Sequence, residues 1–145
     1  MFDVKASGGG QKGPDMAIRI VQLGTSRLPD EGLRLGTVRR PPRGVPTSQF
    51  GSRNFYDVWV PELSPSPEVI KSFQDSERSD TDWRRLEKAY RSEMRQPERI
   101  RLLELLAALS AHTNFSVGCY CEDERRCHRS VLKKILREHG AEVLD

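Results

Sequence analysis

A chain of 145 residues, 36% hydrophobic and 31% charged, is long enough for one domain with its own core and too apolar for a disordered polymer. Its formal net charge of +3 is too small to imply nucleic acid by itself. No run of about 18 apolar residues occurs, which excludes a long apolar membrane helix.

Residues 1–15, "MFDVKASGGGQKGPD", are rich in glycine and polar groups and read as a flexible N-terminal tail. They lack the apolar stretch of a secretory signal. The three cysteines are odd in number and clustered, a poor disulfide framework that fits a reducing compartment. The expected location is therefore the cytoplasm.

The ordered domain is expected over residues 16–145. "MAIRIVQLG" is apolar on nearly both faces and predicts a buried strand from Ile18. "LRLGTVRR" is expected to add a short strand paired with it. "PPRGVPTSQFGSRN", with three prolines and two glycines, must be a long loop. "FYDVWVPEL" predicts a strand closed by Pro61.

Ser66-Pro67-Glu68 is a helix opening, with a cap, a proline at the first position and an early acid. A second helix starts at Asp80 or Thr81, with Trp83, Leu86, Tyr90 and Met94 along one stripe. Pro97 starts a third, whose "LLELLAAL" run predicts deep burial. "FSVGCYC" is a strand, with Phe115, Val117, Cys119 and Cys121 on one face. A final helix spans about Cys127 to His139 and stops at Gly140. "AEVL" predicts a short last strand. Strands alternating with helices give an α/β class: a single small domain, mostly parallel sheet flanked by helices.

Two stretches carry chemistry. Between Ala17 and Tyr56, seven arginines (Arg19, Arg27, Arg34, Arg39, Arg40, Arg43 and Arg53) stand against Asp30 and Glu31. Arg39, Arg40 and Arg43 are candidate ligand-binding residues, because guanidinium forks hold phosphate and carboxylate bidentately.

The second stretch is "CYCEDERRCHRSVL", Cys119–Leu132, a strand-loop-helix unit. Ligands of open α/β sheets gather at the carboxyl ends of strands and at helix N-termini. Cys127, at such an N-terminus near Arg125, Arg126, His128 and Arg129, is a candidate nucleophile. Cys121 is the alternative nucleophile, with His128 for proton transfer and Arg129 for anion binding. The spacing C-x-C-x5-C-H supplies four zinc donors but lacks the usual C-x2-C pairs. Adjacent Cys127 and His128 on a helix would also point about 100° apart. No metal and no cofactor are assigned. The plainer reading is that the cysteines pack as small hydrophobes. Arg129, Lys133 and Arg137 form an i, i+4, i+8 row, ordinarily a solvated face.

The chain from about Met16 onward resembles the DUF488 family, proteins of unknown function that include the YeaO-like group. "RPPRGV" is similar to its Trp-Pro-Arg-Gly-Val loop, with Pro41 in place of Trp. "FYDVWVPELSPS" resembles its Asp-x-x-Trp…Leu-Ala-Pro-Ser segment, and "WRRLEKAYRSEM" its Trp…Tyr-x-x-Glu helix. "CYCEDERRCHRSVL" resembles its cysteine followed by Cys-His-Arg at a helix start. Val38 and Arg39 replace an Asp-Arg pair, and Cys121 stands where an acidic residue is expected. The resemblance implies a small α/β domain and no agreed reaction.

Three functional readings follow. One is a protein that binds or processes a small anionic ligand, a nucleotide or phosphorylated metabolite, at the Cys-His-Arg site. Another is a nucleic-acid accessory module using the arginine-rich arm. The last is a cysteine-based redox or metal-binding module. Whether the protein is an enzyme, and its oligomeric state, do not follow from the pattern. No membrane partner is expected.

Overall fold

The computed structural model describes residues 16–145; the expected tail, residues 1–15, lies outside the described residues. Four apolar segments pair in parallel: β1 (Ile18–Gln22), β2 (Leu33–Gly36), β3 (Val58–Trp59) and β4 (Phe115–Cys119). Their order across the sheet is β1-β4-β2-β3. β2 therefore does not pair with β1 as expected, because β4 lies between them. The physical reason is burial. All five residues of β4 are buried, so it takes the central slot, flanked on both edges. Gly118 permits the close fit, since a Cβ there would sit 2.5 Å from the Val21 carbonyl oxygen. The expected last strand reduces to one bridge, Ile18 to Val143.

The helices obey their local signals. In α1 (Pro67–Gln74) the Ser66 hydroxyl accepts the Val69 N–H at 3.2 Å. In α2 (Asp80–Glu93) Ser79 and Asp82 form a reciprocal capping box. Proline occupies the first turn of α3 (Pro97–Leu109). α4 (His128–Glu138) starts one residue later than expected, with Cys127 as its cap. Among the described residues the result is a single small α/β domain.

The main core lies between the sheet and the helices, around Ile18, Val117, Leu63, Tyr90, Leu103, Leu132 and Leu136. α3 is less buried than its sequence implies. Leu103 is wholly covered while Leu105 is 54% exposed, because only one face of that helix reaches the core. The Tyr90 hydroxyl donates to the Leu63 carbonyl at 2.6 Å inside this core. Tyr90→Phe is expected to cost about 1–3 kcal/mol, since the buried carbonyl loses its donor. Urea denaturation measures this as a lower midpoint at an unchanged slope.

A polar knot fixes the other face. Arg34, fully buried, bonds Glu31 through Nε at 2.7 Å and Nη2 at 3.0 Å. Its Nη1 donates to the carbonyls of Thr25 at 2.9 Å and Asn54 at 2.8 Å. The Ser116 hydroxyl donates to Glu31 at 2.6 Å, tying the knot to β4. Arg34 is thus an internal strut. Arg19 and Arg27 are also paired, with Asp30 at 3.2 Å and Asp57 at 2.7 Å. The arginine-rich arm therefore carries less unpaired charge than its sequence suggests, with Arg40, Arg43 and Arg53 exposed.

Candidate functional site

Parallel pairing sends the chain out of β2 and β4 at the same edge of the sheet. Thr37 follows β2, and both its N–H and its hydroxyl donate to the Gly118 carbonyl at 3.0 Å. The loop after β4 is held by Tyr120, whose hydroxyl donates to the Arg40 carbonyl at 2.9 Å. α4 then begins at this edge, with its free N–H groups and partial positive charge. Phe73 of α1 packs edge-on against Trp83 of α2 at 5.5 Å, and these helices form the opposite wall. Between the walls lies a cavity of about 670 Å³.

Arg39, Arg40, Cys121, Cys127 and His128 all line this cavity, so the two stretches singled out in the sequence meet there. Arg39 is committed to the turn before α1, donating to the Ser64 carbonyl at 3.1 Å and the Pro65 carbonyl at 3.2 Å. Arg43 is exposed and does not line the cavity. Arg129 is buried behind it, at 5% exposure. The row Arg129–Lys133–Arg137 is thus no simple solvated face, because the first turn of α4 packs inward where Cys127 caps it. Among the described residues the Arg129 Nε has no hydrogen-bond partner, and its Nη2 makes a long contact of 3.4 Å to the Glu122 carbonyl.

His128 has a defined tautomer. A carbonyl oxygen only accepts, so Nε2, 2.7 Å from the Thr37 oxygen, carries the proton. The bare Nδ1 faces the Cys127 sulfur at 4.0 Å. Burial pushes the imidazole pKa down to about 4. The Thr37 bond opposes this, while the charges of Arg129 and Arg39 reinforce it. The ring is therefore neutral at neutral pH.

The cysteines converge. The sulfurs of Cys119 and Cys127 are in direct contact as a disulfide pair, and Cys121 is free. All three sulfurs lie within 4.8 Å of one another. Burial raises the Cys121 thiol pKa, and the positive charge of Arg129 opposes that rise.

Thr37, Lys71 and Arg78 also belong to the site and escaped the sequence reading, while Arg126, named there only as a charge near Cys127, lines the cavity as well. The carboxyl-end rule points at Thr37, which directly follows β2. Lys71 and Arg78 carry no local signal; packing of α1 and α2 delivers them.

No curated protein and no solved structure matches the chain. A family model described as the Active DUF488-N3 subclade matches residues 18–140, a span that takes in β1 through α4. With its strands, its helices and its cysteine-histidine loop inside that match, the chain belongs to the DUF488 family.

Proposed function

We propose that the protein binds a small anionic ligand, a nucleotide or phosphorylated metabolite, in the cavity at the carboxyl edge of the sheet. One observation carries this reading. Arg39, Arg40, Lys71, Arg78 and Arg126, from separate chain segments, line one cavity, with Asp75 as the one lining carboxylate among the described residues. Such a concentration of cations in a concave site favours an anion. Asp75 pairs with Lys71 at 2.9 Å and Asp80 with Arg126, so an arriving phosphate competes for those two cations. Arg40 and Arg78 are exposed and supply the first contacts. Phe73, Trp83 and Tyr120 give an apolar wall suited to a nucleobase. Cys121, Cys127 and His128 close the inner end, where the reacting part of the ligand would lie.

The test is thermal melting with mono-, di- and triphosphate nucleotides, sugar phosphates and inorganic phosphate. A ligand at 100 times its Kd adds about 2.7 kcal/mol, or a shift of roughly 5–10 °C for a domain of this size. Arg40→Ala with Arg78→Ala should remove the shift and leave the ligand-free midpoint unchanged. If no anion of the panel moves the midpoint at millimolar concentration, the proposal is wrong. Tight, salt-dependent binding of single-stranded nucleic acid in place of small anions would move the function to the accessory-module class.

A further inference from the structure

Three sulfurs meet within 4.8 Å of one another at the edge of the cavity, and one bare imidazole nitrogen, His128 Nδ1, lies 4.0 Å from the Cys127 sulfur. The helical divergence expected of Cys127 and His128 does not arise, because Cys127 lies outside the helix. As cap of α4 it has extended backbone, φ −120° and ψ 144°, which turns its sulfur to within 4.0 Å of His128 Nδ1. The Thr37 carbonyl holds His128 in the tautomer that leaves Nδ1 free to coordinate.

The backbone around the Cys119–Cys127 disulfide is wide enough for coordination once that bond is reduced. The Cα atoms of Cys119 and Cys127 are 7.8 Å apart, beyond the span of about 4.4–6.8 Å usual for a disulfide. Two thiolates on one tetrahedral ion with arms of about 2.3 Å sit about 3.8 Å apart, and need a wider backbone spacing. Cys121 lies within 4.8 Å of both as the third sulfur.

Charge supplies an independent argument. Arg129 is 5% exposed, and among the described residues its Nε has no hydrogen-bond partner and no carboxylate pairs with it. A buried guanidinium without a counter-charge is costly. A divalent ion with three thiolates and a neutral imidazole carries a net charge of −1. Bound beside Arg129, it would provide the missing partner.

We propose that Cys119, Cys121, Cys127 and Nδ1 of His128 form a tetrahedral site for one zinc-class ion, with Arg129 as its charge partner. A dithiol reductant first opens the Cys119–Cys127 disulfide by exchange and is itself oxidised to a disulfide, leaving both sulfurs as thiols. Metal binding then releases three thiol protons and the ion's bound waters to solvent, with no change in the metal's oxidation state. Softness and number of donors select zinc over calcium or magnesium. The site does not depend on which ligand the cavity holds.

The test uses the full chain, reduced and purified without chelator. Atomic emission should find about one equivalent of zinc. Cobalt titration should give the visible bands of a tetrahedral site and thiolate-to-cobalt charge transfer in the near ultraviolet. Outer-shell changes weaken metal sites about 10–100-fold. Cys121→Ser, at an exposed ligand, should therefore weaken cobalt binding by at least about 100-fold, and Arg129→Gln by about 10-fold. Circular dichroism of each variant shows whether it folds. Folded, reduced protein with less than about a tenth of an equivalent of zinc and no charge-transfer band overturns the proposal. So does a Cys121→Ser variant that binds cobalt as tightly as the parent. The nucleotide melting panel, run with and without chelator, reads the cationic wall separately, so either proposal can fail alone.

Discussion

Arg34→Met is expected to destabilise the protein by about 3–5 kcal/mol, because it leaves the Glu31 carboxylate buried and unpaired. Both side chains are at most 2% exposed, so water cannot replace the lost guanidinium. The same change also strips donors from the Thr25 and Asn54 carbonyls. Urea denaturation of Arg34→Met, of Glu31→Gln and of the double variant resolves the pair. The double variant should recover part of the loss, since no charge is then left buried alone. A cost below about 1 kcal/mol for Arg34→Met would mean that Glu31 reaches water or another partner.

The pair also sets an acid limit. Burial alone would raise the Glu31 pKa above its ordinary 4.5. Bonds from Arg34, Ser116 and the Leu28 N–H, with the Arg34 charge, outweigh that and hold it lower. Its folded pKa is thus depressed, and the unfolded chain binds the proton more readily. The contribution is fully present above about pH 4.5 and is lost as pH falls below that value through the folded pKa. Stability measured across that range should drop with acid in the parent and more shallowly in Glu31→Gln.

Leu132→Ala is expected to cost about 2–5 kcal/mol. Leu132 is fully buried on the inner face of α4, in the core cluster with Val117, Tyr90 and Leu136. Truncation removes its transfer energy and leaves a cavity that the surrounding sheet and helices fill only in part. Arg129, in the same helix and nearly as buried, should behave oppositely in metal-free protein. Arg129→Met is expected to leave stability within about 0.5 kcal/mol or raise it, since an unpartnered buried charge is exchanged for an apolar stem. Chevron or equilibrium urea curves on both variants check the contrast. An Arg129→Met as unstable as Leu132→Ala would make Arg129 a structural brace.

The helix starts and the class of the fold are written in local sequence. Ser66-Pro67, Ser79 with Asp82, and Pro97 act within one turn of where they stand, so their meaning is local and readable. The alternation of Phe115, Val117 and Cys119 with Ser116 and Gly118 likewise announced β4 as a strand, though not that both of its faces are buried. Tertiary structure alone decided which strand lies between which, since pairing depends on burial summed over both faces of the sheet. It made Arg34 a strut and Arg40 a cavity residue, though both looked alike as members of one basic arm. It brought Lys71 and Arg78 to the cysteines through the Phe73–Trp83 contact, across some fifty residues of chain that hold no record of the meeting. It also turned Cys127 toward His128, because a cap residue with extended backbone projects its side chain where a helical one does not. Local signals survive in sequence because a few neighbouring bonds satisfy them; side chains that converge from distant segments are placed by packing, which no short stretch encodes.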